Sequence, residues 1–212
     1  MELLEKIKKA QEQSRKRKFK QTWDLIITLS GIDLKRPENR FNLELQLPAG
    51  RGKEPSICAI TDTLTAEAKK LKGITVVTKA ELASVAGDKK KLKKLVNEHD
   101  WFLGEISLMA DIGKTMGAVL GTRGKMPKPI PPKIPVQAIV MATKKSIRVS
   151  LKTMPMIQVP VGTDDMSPED IEKNISAVYN FVRERLPKGV GNIKQVMLKL
   201  TMGKPVKLEM RG

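Results

Sequence analysis

The spacing of apolar residues changes twice along this chain. Phe41, Leu43, Leu45 and Leu47 alternate with polar residues, the period-two pattern of a half-exposed strand, and residues 22–29 read as a strand before it. From Ser56 the pattern becomes short apolar runs separated by helical stretches. Strands are expected over 57–61, 74–78 and 101–103, with helices over 65–72, 79–97 and about 107–120. Strand and helix in that order predict a small parallel α/β domain. A Pro/Lys-rich loop over 121–135 and a short helix over 136–143 follow, and then strands return at 147–151, 156–161, 195–200 and 206–210. Between them a helix opens on Ser167, Pro168 and Asp170, with a hydroxyl at the cap, proline in the first turn and an acid three residues after the cap, and stops before Pro187. An amphipathic helix over 2–16, with Leu3, Leu4, Ile7 and Ala10 on one face, precedes all of these.

The simplest account is an α/β protein of two domains. A discontinuous α/β domain built from both termini, residues 1–50 and 146–212, carries a mainly antiparallel sheet and two helices. A second α/β domain, residues 51–145, is inserted through two crossings, a hinge at 48–53 and 143–146. Two covalent crossings side by side permit relative motion, because inter-domain interfaces are usually small. A single continuous doubly wound domain is the alternative.

Charge narrows the function. The chain carries 40 Lys and Arg against 23 Asp and Glu, a net charge of +17. Such an excess concentrates polyanions at the surface and repels itself unless a polyanion neutralises it. Nucleic acid is therefore the expected partner, and a solvated basic surface the lesser alternative. Aromatic residues are only 3% of the chain, so RNA recognition has to lean on shape, backbone and 2′-hydroxyl contacts more than on base stacking. Cys58 is the single cysteine and lies in an apolar run, so no internal disulfide can form and a buried thiol in a reducing cytosol is expected. No window approaches the ~18 consecutive apolar residues of a membrane span, so a soluble protein is expected.

Catalytic chemistry has little to work with. His99, the only histidine, stands beside Asp100 between a helix and a strand and reads as a loop or cap residue. One His and one Cys fall short of a zinc site. Gly113-Lys114-Thr115 resembles the end of a phosphate-binding loop, but Leu108 stands where that motif needs glycine. Gly50-Arg51-Gly52 begins a dinucleotide fingerprint that breaks at Pro55. Gly113, Gly117 and Gly121, spaced by four, predict close helix packing. No catalytic residue, cofactor or metal is expected. The enzyme reading that competes would make the inserted domain a nucleotide-binding unit.

Three basic segments remain. Arg15, Lys16, Arg17, Lys18 and Lys20 surround Phe19; Lys89, Lys90, Lys91, Lys93 and Lys94 lie on one helix, where an ordinary solvated face is an equal reading. Arg123, Lys125, Lys128 and Lys133 lie in an acid-free loop whose prolines are expected to hold it extended with its cations exposed.

With these residues in view the chain resembles the large-subunit ribosomal protein L-one family, the protein of the mobile stalk beside the ribosomal exit site. Four segments carry the likeness: Lys18-Phe19-Lys20-Gln21-Thr22; Pro37-Glu38-Asn39-Arg40 with 47–53; the long run 116–129, from Met116 to Pro129; and Lys199-Leu200-Thr201-Met202-Gly203. They span nearly the whole chain in the family order. The resemblance implies the split architecture, with a Rossmann-like three-layer inserted domain and a hinge that opens and closes. By position it implies RNA contacts from Lys18, Phe19, Thr22, Asp24, Gln195, Thr201, Met202 and Gly203 on the first domain. Arg123, Lys125 and Lys128 are implied as secondary contacts to RNA or to the elbow of transfer RNA.

The physical roles are separable. Lys18 supplies charge and Phe19 a rigid platform; Thr201 can exchange a hydrogen bond with a 2′-hydroxyl; Met202 offers an adaptable apolar face; Gly203 leaves room for close backbone approach. Asp24 would have to accept from a sugar hydroxyl or a base amino group. The implied partners are stalk-region ribosomal RNA, exit-site tRNA and the protein's own mRNA, whose translation it would repress through a mimic of the ribosomal site. The implied location is cytoplasmic, on the ribosome, with a monomer when free and no membrane. A non-specific basic nucleic-acid binder remains the alternative.

Overall fold

The computed structural model describes residues 2–15, 17–71, 73–131 and 134–209. Lys16, Lys72, Lys133 and Met210, which the sequence places at helix ends, in the basic loop and in the last strand, lie outside them. The chain opens with α1 (Glu2–Glu12), β1 (Thr22–Leu29) and β2 (Phe41–Gln46). Next come β3 (Ile57–Ile60), α2 (Thr65–Lys69), β4 (Ile74–Val77), α3 (Lys79–Ala86), α4 (Lys89–Glu98), β5 (Trp101–Glu105), α5 (Met109–Thr122), β6 (Lys128–Ile130) and α6 (Val136–Lys145). It closes with β7 (Ser146–Leu151), β8 (Met156–Thr163), α7 (Pro168–Arg185), β9 (Ile193–Leu200) and β10 (Val206–Leu208).

These elements divide into two compact units, Met1–Lys53 with Lys145–Gly212, and Glu54–Lys144. The first, the terminal unit, holds an antiparallel four-stranded sheet in the order β10-β9-β1-β8, beside a two-stranded ribbon of β2 and β7. Trp23, Leu25, Ile27 and Leu29 alternate inward from β1 and meet Ile7 and Ala10 of α1 and Ile171, Ile175, Val178 and Val182 of α7. Burial of each such large side chain contributes about 1.5–3 kcal/mol, which is why the alternation fixes the register. Helix α7 starts as its sequence predicts: Ser167 Oγ accepts from the Asp170 N–H at 3.1 Å, with Pro168 in the first turn.

The first crossing out of the terminal unit is held from inside. Asn174 of α7 is fully buried; its Oδ1 accepts from the Ala49 N–H at 3.1 Å, and its Nδ2 donates to the carbonyls of Gly50 and Val161 at 2.8 and 2.7 Å. Gly52 has φ +74, and a Cβ there would lie 2.0 Å from Thr163 Oγ1, so only glycine fits on both counts.

The inserted unit carries a parallel sheet in the order β4-β3-β5-β6. Every residue of β3 and β5 is buried, and apolar clusters lie on both faces, one with α3, α4 and α5 and the other with α2 and α6. A sheet covered on both faces reads as continuous apolar runs rather than alternation, which explains Ile57–Ile60. Cys58 is among these residues, and burial pushes its thiol up to about 12. No helix among the described residues is long and apolar enough to cross a membrane.

Three expectations need correcting. The helix read over 79–97 is two helices: α3 ends at Gly87, and Asp88 caps α4 by accepting from the N–H groups of Lys90 and Lys91 at 2.8 and 3.2 Å. Gly-Asp is a stop followed by a start, and the lysine run that follows masked it. The glycines of α5 do not mediate close packing. A Cβ built at Gly113, Gly117 or Gly121 meets nothing within 4 Å, because Ile112, Met116 and Leu120 form the packed face and the glycines turn away from it. The loop over 121–135 also contains β6, a short strand on the edge of the sheet beside β5.

Candidate nucleic-acid interface

The alternation that buries one face of the four-stranded sheet leaves the other uncovered. Thr22, Asp24, Ile26 and Thr28 point outward from β1, each half-buried between its neighbours. Across the ladder Asp24 pairs with Lys199 and Pro160, Ile26 with Met197 and Gln158, and Thr28 with Gln195 and Met156. Lys207 of β10 extends the Met197 row. Asp24 is the only acid in these rows. Its carboxyl titrates above the ordinary Asp range because partial burial disfavours the charge, and the Lys199 ammonium opposes that only in part. Beside Lys199, the Asp24 carboxyl can accept from a sugar hydroxyl or a base amino group.

At the end of this face the chain turns through Thr201, Met202 and Gly203, and the turn is locked by its own hydrogen bonds. The Thr201 N–H donates to the Thr22 carbonyl at 3.0 Å; Thr201 Oγ1 accepts from the Thr22 N–H at 3.0 Å and donates to the Thr22 carbonyl at 3.3 Å. The hydroxyl has one proton, so an incoming 2′-hydroxyl finds one acceptor lone pair and no donor. The Met202 N–H donates to Gln21 Oε1 at 3.2 Å, and the Met202 side chain, 59% exposed, projects from the turn. The glycine at 203 answers to the protein's own packing: a Cβ there would press on Leu200 Cβ and Ser14 Oγ, each at 3.3 Å. The room expected for a partner's backbone is thus filled by α1's trailing segment.

Gln21 is the residue that sequence reasoning missed. It is 2% exposed, and besides the turn it reaches the Arg15 carbonyl at 3.3 Å and Ser14 Oγ at 3.5 Å. One amide therefore ties the basic segment to the turn. Its signal was a polar residue inside the motif Lys18–Thr22, immediately before a strand. Lys20 anchors the same segment on the other side, with its ammonium 2.7 Å from the Asp165 carboxylate. That ion pair and the Thr163 hydroxyl, which also donates to Asp165, pull the acid down to about 2. Lys18 and Phe19 lie between these anchors, both exposed, Phe19 by 52%. Beside them Lys8, Arg15, Arg17 and Gln21 help line a groove of about 640 Å³, with Glu12 and Asp164 in the same wall.

The fold thus brings Thr22, Asp24, Thr201, Met202 and Gly203 to one corner of the terminal unit. Gln195 shares the open face but stands opposite Thr28, six residues along the strand from Thr22, or about 20 Å. It belongs to the same surface but not to the same cluster.

In the inserted unit the three basic residues separate. Arg123, at the end of α5, is exposed. Lys125, expected to be exposed, is half-buried: its ammonium donates to the Val96 and His99 carbonyls at 2.9 and 2.7 Å. Carbonyls at a helix C-terminus lack intrahelical partners and attract a cation, so Lys125 caps α4. Lys128 lies 4.7 Å over the Trp101 ring and is also half-buried. His99 is the C-cap of α4, with Nδ1 on the Leu95 carbonyl at 2.9 Å and Nε2 on Thr75 Oγ1 at 2.8 Å, a structural residue as its context predicts. Lys90, Lys91, Lys93 and Lys94 are exposed on α4 while Leu92 and Val96 are buried, which is the pattern of a solvated face. Among the described residues no group of three or more His, Cys, Asp or Glu side chains comes together to hold a metal ion.

Comparison with known proteins supplies a second line of argument. The family described as ribosomal protein L1p/L10e matches residues 7–204. Similar proteins carrying the name large ribosomal subunit protein uL1 include those of Methanocaldococcus jannaschii, 42% identical over 208 residues (98% of this chain and 94% of the relative), and Methanothermococcus thermolithotrophicus, 41% identical over 208 residues (98% and 97%). That of Thermococcus kodakarensis is 40% identical over 208 residues, covering 98% of this chain and 96% of the relative.

Proposed function

The chain belongs to the ribosomal protein L1p/L10e family, and from that membership we propose that it is a non-catalytic component of the large ribosomal subunit whose terminal unit grips ribosomal RNA of the mobile exit-site stalk. The observation that carries the reading is the hydrogen-bonded corner formed by Thr22, Thr201, Met202 and Gly203 beside the open sheet face. Its backbone and the Thr201 hydroxyl are held before any partner arrives, so less ordering entropy opposes binding. Thr201 offers an acceptor to a 2′-hydroxyl, Met202 an apolar face to a sugar or base, Asp24 an acceptor for a sugar or amino group, and Phe19 a stacking surface. Lys18, with Lys199 and Lys207 on the sheet, supplies phosphate attraction.

In this reading the inserted unit acts at a distance. Residues 48–53 and 143–146 form the hinge on which it swings, and Arg123 makes the exposed contact to RNA or to the elbow of a departing tRNA. Lys125 and Lys128 support it by holding the loop in shape. Free protein represses its own mRNA through a weaker mimic of the ribosomal site, so repression sets in only when ribosomal sites are filled. A message fragment that bound tighter than the ribosomal one would end that part of the proposal.

The test is affinity for a stalk-region ribosomal RNA fragment against a scrambled RNA of equal length at two salt concentrations. The proposal expects a preference of about a thousandfold or more that persists at the higher salt. Equal affinities that collapse together with salt would leave only a basic surface.

A further inference from the structure

Strands β3 and β5 are neighbours in the order β4-β3-β5-β6, and the chain leaves β3 toward one edge and β5 toward the other. This is the topological switch point of a doubly wound sheet, where the loops beyond the strand ends part and leave a crevice that binds ligands in such folds. Here the crevice is filled from within. Glu105, the last residue of β5 and 8% exposed, turns its carboxylate across to the loop after β3. Oε2 accepts from the N–H groups of Asp62 and Thr63 at 2.9 and 3.1 Å; Oε1 accepts from the Thr63 hydroxyl at 2.8 Å and the Ser107 hydroxyl at 2.9 Å.

We propose that this crevice is an oxyanion-binding site occupied in cis, in which the Glu105 carboxylate takes the place of a small carboxylate or phosphate ligand. Two backbone N–H groups and two hydroxyls converging on one pair of oxygens form the donor set that binds free oxyanions elsewhere. Asp62, Thr63 and Ser107 are exposed residues, so water could serve their donors if an apolar residue ended β5. Burial alone would raise the pKa of this side chain, but the donors outweigh burial and hold it below the ordinary Glu value. The inserted unit therefore keeps the topology of a nucleotide-binding domain while its own side chain shuts the phosphate position. This inference stands apart from RNA binding by the terminal unit.

The test uses the full-length Glu105→Ala variant, which deletes a fragment equivalent to acetate. Acetate, titrated against chloride at matched ionic strength, is expected to shift the Asp62 and Thr63 amide resonances saturably and to raise the variant's Tm, with no such effect on the native protein. Phosphate in a parallel titration shows whether the opened site admits a tetrahedral anion as well. Should the alanine variant not fold, the native protein and Glu105→Gln carry the question. The Asp62 and Thr63 amides are expected to share one acid titration step in the native protein that is absent from E105Q. The inference is overturned if acetate leaves those amides unmoved in E105A, if it moves them equally in the native protein, or if they do not titrate in the native protein.

Discussion

The two units are built from the same ingredients, a four-stranded sheet and amphipathic helices, and they end with opposite surfaces. In the terminal unit α1 and α7 cover one face of an antiparallel sheet and leave the other to solvent, so polar groups on alternate positions of β1 and β9 become a surface. In the inserted unit helices cover both faces of a parallel sheet, and the crevice at its switch point is closed by Glu105. Antiparallel pairing needs no crossover and can leave a face free, whereas each parallel pairing brings a helix with it. Strand direction thus decides which unit can read a partner with its sheet and which can touch one only with its loops and helix ends.

Several changes would break or sharpen this contrast. The largest effect is expected from Asn174→Ala, which leaves the half-buried Ala49 N–H and the buried Gly50 and Val161 carbonyls without their partner. It should cost about 3 kcal/mol in the terminal unit alone, read by calorimetry as a drop in one transition. Thr201→Ala removes the hydroxyl that fixes the turn to β1 and should weaken stalk RNA binding by about tenfold or more with an unchanged salt slope, measured by filter binding. Lys125→Ala should destabilise the inserted unit by about 1–2 kcal/mol and change RNA affinity little, because its ammonium is spent on the end of α4.

Acid should also separate the units. Glu105 has a folded value below its unfolded one, so its contribution is fully present above the ordinary Glu range and is lost as pH falls through the lower folded value. Acid unfolding of the inserted unit should lose that component in E105Q. The smallest effect is that of Asp24→Asn. A carboxyl whose folded value is raised contributes fully only below the unfolded value and loses that contribution as pH rises through the folded one, so the variant should gain a little stability at neutral pH while losing RNA affinity.

The two rhythms made most of this architecture legible. Alternation at Trp23, Leu25 and Ile27 specifies a sheet with one buried face, and the apolar run at Ile57–Ile60 a strand buried on both. Ser167 and Pro168 announced α7 because cap chemistry is local. What stayed hidden depends on contacts far apart in sequence. Lys125 reads as one more cation in a basic loop until the fold lays it against the end of α4, 26 residues from His99. Gln21 reads as filler until the turn at Met202, 181 residues away, arrives beside it. Glycines at every fourth position suggested packing, yet spacing says which residues share a face and not whether anything lies opposite. At the interface, motif resemblance singled out Thr201 and Met202, but not that the Thr201 proton is already committed to Thr22.

The central claim is that the terminal unit reads RNA while the inserted unit contributes charge. It is tested most directly by the ratio of affinities for stalk-region and scrambled RNA, measured across a salt series for the native protein, Thr201→Ala and Arg123→Ala. The account predicts that T201A lowers the ratio and keeps the salt slope, and that R123A keeps the ratio and reduces the slope by roughly one. A ratio that falls in R123A and survives in T201A would place recognition in the inserted unit and contradict the account.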